Sequence, residues 1–386
     1  MKTRLGVSEL KQIIAACLLS LCSLWVSAAE VTQSDVIEQY ASLVSASYQD
    51  ALASAQEMQS KIDAFVAQPS AETLKAAQAA WLEAREWYGQ TEAFRFYGGP
   101  IDSETGPEGF INGWPLDEAY IDYVKGKPKA GIINSKTPIT EAKLRSLNER
   151  GGEENIATGW HAIEFLLWGQ DFNQDGAGQR AYTDYTTAAN AERRKQYLTL
   201  VTQMLVADLA RVEKQWRAGE KNFRAQFVAK GDESIKKMLT GLGTLSRGEL
   251  AGERTEVALD TQNQEDEHSC FSDNTHRDLV NNARGIQNVW EARFVRRSGE
   301  IVEGASLRDL VAQKNPAVAQ TVSRDIAQSV KLAEAVQAPF DREIVGKKDA
   351  PGRQRLQALV ESLKAQAKSL VEAAKVLGIK RLNTSV

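Results

Sequence analysis

The chain has 386 residues, 42% hydrophobic and 25% charged, with 9 prolines and 3 cysteines. This excludes a disordered tail, a collagen-like fibre and a disulfide-stapled miniprotein, because the apolar mass suffices for one large core or two ordinary ones. Lys and Arg number 47 against 51 Asp and Glu, a formal net charge of −4, and no basic run could neutralise several phosphates at once, so nucleic acid is not an expected partner.

Residues 1–28 read as a secretory signal peptide. Lys2, Arg4 and Lys11 form a basic start, an apolar run extends from Ile13 to Val26, and Val26-Ser27-Ala28 offers small residues for cleavage after Ala28. The rival is a lipid-modified cysteine in Ile14-Ala15-Ala16-Cys17, but the apolar stretch continues well past Cys17. Cys17 and Cys22 leave with the signal, so Cys270 stands alone and no internal disulfide is expected. The expected location is the periplasm or the outer-membrane surface, and no other stretch approaches the ~18 apolar residues of a spanning helix.

Helical periodicity dominates the rest. Behind Ser34 as N-cap, Val36, Tyr40, Leu43, Ala51, Ala55, Met58, Ile62 and Phe65 predict one long amphipathic helix. A second runs from Ser70 through Leu74, Ala77, Trp81 and Arg85 to Tyr88. Three prolines and five glycines interrupt the helical pattern from Gly98 to Pro115. Tyr197, Val201, Leu205, Leu209, Val212 and Trp216 mark a further helix, and the polar stretch Ala218 to Asn222 is the candidate domain boundary. A second interruption covers Asp260 to Asn274. The last helix opens at Pro351 and is closed by Gly378. No comparable run alternates with period two. The expectation is an all-α protein of two helical bundles, 29–220 and 221–386, with a hint of duplication between them.

The three histidines, His161, His268 and His276, all fall in segments dense with acids or aromatics. On a helix His161 and Glu164 share one face, so imidazole and carboxylate can converge on a single cation. The plainer alternative is a satisfied pair in which Glu164 accepts a hydrogen bond from His161. In the segment Glu265 to Asp278, Glu265 precedes His268 by three and Asp273 precedes His276 by three, two more pairs at helical spacing. A solvated acidic face explains Glu265 to Glu267 but less well the histidines, Cys270 and Phe271.

Zinc peptidase motifs fail, since residue 165 is Phe where the inverted motif needs a second histidine. Only Glu265 and His268 have the order of a di-iron motif. There is no Gly-x-Ser-x-Gly and no phosphate-binding loop. What remains is a mixed oxygen and nitrogen site suited to iron, and also to zinc or copper.

Gly159-x-His161-x-x-Glu164, EAFRFYGGPID from Glu92 to Asp102, NGWPLDEAYIDYV from Asn112 to Val124, and EDEHSCFSDNTHRD from Glu265 to Asp278 resemble the imelysin-like family of bacterial envelope proteins. The resemblance spans essentially the whole mature chain. It implies an all-helical pair of bundles with the histidine and glutamate motif near a cleft between them. It also implies one of two functions, because the family is classed with metallopeptidases while related members are called iron-regulated or iron-binding. Carried over, it points to His161 and Glu164 as the metal pair, with Glu92, Arg95, Glu267, His268 and His276 lining the same cleft. One departure stands after SRGELAGER, where Thr255 and Glu256 occupy positions expected to be apolar.

The favoured reading is an exported protein that binds a metal ion, iron first and zinc second, through His161, Glu164 and His268 in iron acquisition. The alternative is a metal-dependent peptidase with Glu92 or Glu267 as base. A third is a metal-free module whose cleft takes a peptide or saccharide. A peptide or another envelope protein is the further expected partner.

Overall fold

The computed structural model describes residues 30–382 and 384, and the expected signal peptide with its cysteines lies outside them. The first helix, α1 (Gln33–Ala67), is capped by Thr32, two residues before the anticipated cap Ser34. Thr32 and Asp35 form a reciprocal capping box there, each side chain accepting from the other's backbone N–H. Helix α2 (Ala71–Thr91) opens on Ser70 as expected, paired with Thr73. Then come α3 (Gly159–Trp168), α4 (Ala191–Lys214) and α5 (Asp232–Thr244). Helix α5 runs on into wide π-type turns over Leu245–Glu256. Helices α6 (Thr275–Glu291), α7 (Pro316–Glu334) and α8 (Pro351–Val376) complete the long elements. Both α7 and α8 carry proline in their first turn, where its missing N–H costs nothing.

Among the described residues the fold is all-α apart from one small antiparallel hairpin, in which Arg293–Val295 pairs with Ile301–Glu303. Helix α1 packs on α2 and α4, α8 packs on α7 and the π-type turns, and α6 bridges to α2. The described residues from Thr32 onward form one compact unit. No described helix is long and apolar enough to cross a membrane.

Close packing against α2 fixes both α6 and α3. At the crossing of α2 and α6, a Cβ on Gly285 would meet the Gln90 carbonyl oxygen at 2.4 Å, so only glycine lets the backbones come this near. Helix α3 is held by aromatics. Trp81 of α2 stands edge-on to Trp160 and Trp168 at 6.3 and 5.3 Å and donates its indole N–H to the Trp160 carbonyl at 3.1 Å.

The departure at residues 255 and 256 proves harmless. Thr255 is buried with its hydroxyl donating to the Leu250 carbonyl at 2.6 Å, a bond the π-type turns permit. Glu256 faces the partly exposed side and pairs with Lys364 at 2.6 Å.

Candidate metal centre

Every residue of α3 is buried, and its first, Gly159, has φ +89° with a Cβ position only 2.5 Å from the Ile111 carbonyl oxygen. The glycine of the motif is therefore a backbone requirement, letting the helix start hard against the end of the short helix Glu108–Ile111. One turn on, His161 Nδ1 and Glu164 Oε2 are 2.9 Å apart. The other carboxylate oxygen of Glu164 accepts from both the backbone N–H and the hydroxyl of Ser272, at 2.9 and 2.6 Å. Burial pushes the Glu164 carboxyl up to about 8, although the Ser272 hydrogen bonds oppose it. Burial, aided by the Arg85 charge, holds His161 well below its ordinary value, so the imidazole is neutral. His161 Nε2 is buried and has no hydrogen-bond partner.

The second imidazole is His268. Its ring meets that of His161 edge to face, with centroids 4.7 Å apart and planes at 71°. Helical spacing predicts Glu265 as its partner, but residues 267–274 are not helical, and spacing by three does not bring those two side chains together. His268 Nδ1 lies 2.8 Å from Asp278 Oδ2. Asp278 in turn accepts from Arg85 at 2.9 Å, and Arg85 also donates to Asn112 Oδ1 at 2.7 Å while stacking near Trp81, Tyr88 and Trp160. Burial alone would raise the Asp278 carboxyl, but Arg85 and His268 outweigh it and keep it ionised. Burial, with help from Arg254, holds His268 down to about 3. Trp114 covers the outer edge of the ring at 5.6 Å and donates its indole N–H to the Glu267 carbonyl.

The remaining expected residues lie in different settings. Glu92 is buried between Arg95 and Arg254, each 2.6 Å away, and these guanidiniums overcome burial to hold it well below the usual carboxylate range. Arg95 also pairs with Glu108 at 2.9 Å. His276 stands in a surface groove of about 670 Å³, its Nδ1 3.0 Å from the Asp273 backbone carbonyl, so the expected Asp273 and His276 side-chain pair does not form. Glu267 is fully buried, and the Asp341 carboxyl is among the groups acting most strongly on it. Cys270 is buried and its thiol is pushed up by burial, which disfavours the thiolate a metal would require.

No motif in the sequence marks Asp278, Arg85, Ser272 or Trp114 as partners of the histidines. One signal was available. Arg85 lies on the apolar stripe of α2 between Trp81 and Tyr88, and a charge on a buried stripe demands a buried counter-charge.

Residues 44–370 match the family model described as Imelysin. Iron-regulated protein A of Synechococcus elongatus is 26% identical over 308 residues, covering 77% of this chain and 74% of that protein. A crystal structure described as a putative iron-regulated protein A precursor of Parabacteroides distasonis shares the fold with a TM-score of 0.66 at 18% identity, covering 91% of this chain and 97% of the other.

Proposed function

The chain belongs to the imelysin family, and from that premise we propose that it is an exported protein of the cell envelope that binds iron as cargo between His161 and His268. One observation carries the reading. Two buried imidazoles meet edge to face with centroids 4.7 Å apart, each with Nδ1 against its own carboxylate, which leaves Nε2 as the donor nitrogen, and Nε2 of His161 is a buried atom without a partner. A carboxylate on Nδ1 is the common device for fixing tautomer and ring direction in metal-binding histidines. In this reading Glu164 and Asp278 orient, Ser272 and Arg85 hold the two carboxylates, and the imidazoles bind. Glu164 must be ionised for Nδ1 to keep the proton and Nε2 to offer its lone pair.

Nitrogen donors beside carboxylates suit iron and, by the same chemistry, zinc. Iron is favoured because the related protein from Synechococcus is named for regulation by iron. Binding is favoured over peptide cleavage because the two carboxylates that could serve as base are compromised. Glu92 is neutralised by two arginines, and burial, followed by the Asp341 carboxyl, raises Glu267 well above the ordinary carboxylate range. Periplasm or outer-membrane surface remains the proposed location.

Elemental analysis of the protein purified from the envelope tests the proposal. One equivalent of iron is expected, lost in both His161→Ala and His268→Ala. Undiminished iron in the double variant would remove the site, and chelator-sensitive peptide cleavage would replace binding with catalysis.

A further inference from the structure

The buried carboxylates divide into two groups. Asp122 has Arg180 and Arg194, Asp278 has Arg85, and Glu92 has Arg95 and Arg254. Glu164, without an arginine, has three donors. Asp171, Asp273, Asp341 and Glu267 are buried with no such partner, and these four come together. Carboxylate oxygens of the three aspartates all lie within 4.8 Å of one another, and the Glu267 carboxyl adjoins that of Asp341. Six oxygens have no hydrogen-bond partner: Oδ2 of Asp171, Oδ1 of Asp273, both of Asp341 and both of Glu267.

These residues reach the cluster from three separate parts of the chain. Asp171 follows the end of α3, where its other oxygen accepts from Asn173 N–H at 2.8 Å. Glu267 and Asp273 belong to the loop before α6, with Asp273 at φ 55°. Asp341 begins the short helix Asp341–Ile344 ahead of α8. Three distant segments thus deliver unmatched acid to one place. Adjacent buried carboxylates cannot all remain ionised without a counter-charge. Protons would serve oxygens two at a time, whereas one spherical cation can draw an oxygen from each of the three aspartates at once, with Glu267 beside Asp341. Burial, followed by the neighbouring Asp341 and Asp171 carboxyls, raises the Asp273 carboxyl to about 8.

We propose that Asp171, Asp273, Asp341 and Glu267 form a binding site for one calcium ion, independent in its donors of the histidine pair. The donor set is purely oxygen, without nitrogen or sulfur, which selects a hard cation. Calcium takes six to eight oxygens in irregular geometry and tolerates a carboxylate-rich shell, whereas magnesium demands a near-ideal octahedron and keeps its waters. Access is available through the groove lined by Ser272, Asp273, His276, Arg277 and Pro339. Occupancy would tie the loop that carries His268 and Ser272 to the segment following α3.

The test is calorimetric titration of chelator-stripped full-length protein with calcium chloride up to ~1 mM, the range of extracellular calcium modules, read alongside the unfolding temperature. Wild type is expected to bind one equivalent and to melt higher with calcium. Asp341→Asn and Asp273→Asn should bind at least ~10-fold more weakly. Without calcium they should melt higher than wild type, because each removes repulsion. Asp171→Asn serves if either variant fails to fold. His161→Ala should keep calcium, and the Asn variants should keep iron, so failure at one site is distinguishable from failure at the other. The assignment is overturned if wild type binds no calcium, if the Asn variants bind it unchanged, or if magnesium competes equally.

Discussion

Asp278 reaches across from α6 to accept a hydrogen bond from Arg85 of α2 at 2.9 Å, and through that contact the ion pair holds His268 against His161. Both side chains are almost wholly buried, with 1% of each exposed. Removing one partner strands the other as an uncompensated charge. Arg85→Leu should therefore destabilise the protein by ~3–5 kcal/mol, measured by urea unfolding. Arg85→Leu combined with Asp278→Asn should recover much of the loss, and a single-variant cost below ~1 kcal/mol would contradict the pairing.

Glu164→Gln keeps the shape of the side chain but removes the negative charge that fixes a proton on His161 Nδ1. Iron affinity should fall by ~10–100-fold, the usual cost of losing an orienting partner, while the fold survives. Titration of the stripped variant with ferrous iron checks this. Complete loss of binding would instead place the Glu164 carboxylate on the metal itself.

Gly159→Ala tests the backbone reason for the motif's first letter. Its φ of +89° and the 2.5 Å approach to the Ile111 carbonyl make any side chain strained and crowded. A loss of ~1–3 kcal/mol is expected, read as a lower midpoint in thermal denaturation. Ala162→Gly, in the same helix, supplies the comparison of ordinary helix propensity, with a cost of ~1 kcal/mol plus the buried methyl.

Metal-free stability should depend on pH in a definite direction. The folded Glu164 carboxyl lies at about 8, above its ordinary 4.5. Its stabilisation is complete below 4.5 and is lost as pH rises through 8. The slope approaches ~1.4 kcal/mol per pH unit for one proton. His161 and His268 act oppositely, since both are depressed below 6.5. They contribute fully above 6.5 and lose that contribution as pH falls. Relative to wild type, Glu164→Gln should therefore gain stability from pH 5 to pH 8. A constant difference across that interval would refute the shift.

Metal uptake should run the other way. The carboxylate must ionise before Nε2 can bind, so iron affinity is expected to rise between pH 6 and pH 8, with proton release on binding. Binding enthalpies compared in buffers of different ionisation heat would count that proton, and release of none would exclude Glu164 from the linkage.

The amino-acid order alone determined what depends on neighbours along one helix. The stripes of α1, α2, α4 and α8, the proline that begins α8, and the adjacency of His161 and Glu164 follow from a period of 3.6 residues and local sterics. Even there, Thr32 rather than Ser34 caps α1, because the box with Asp35 satisfies two N–H groups at once. Tertiary structure decided which distant groups meet. Helical spacing suggested Glu265 for His268, yet its segment is a loop and the ring turns to Asp278. Glu92 has the chemistry of a base but is quenched by Arg95 and Arg254, and four acids from two loops and a short helix converge with no arginine among them. Charges interact through space, and where a non-helical side chain points is set by packing that no local period encodes.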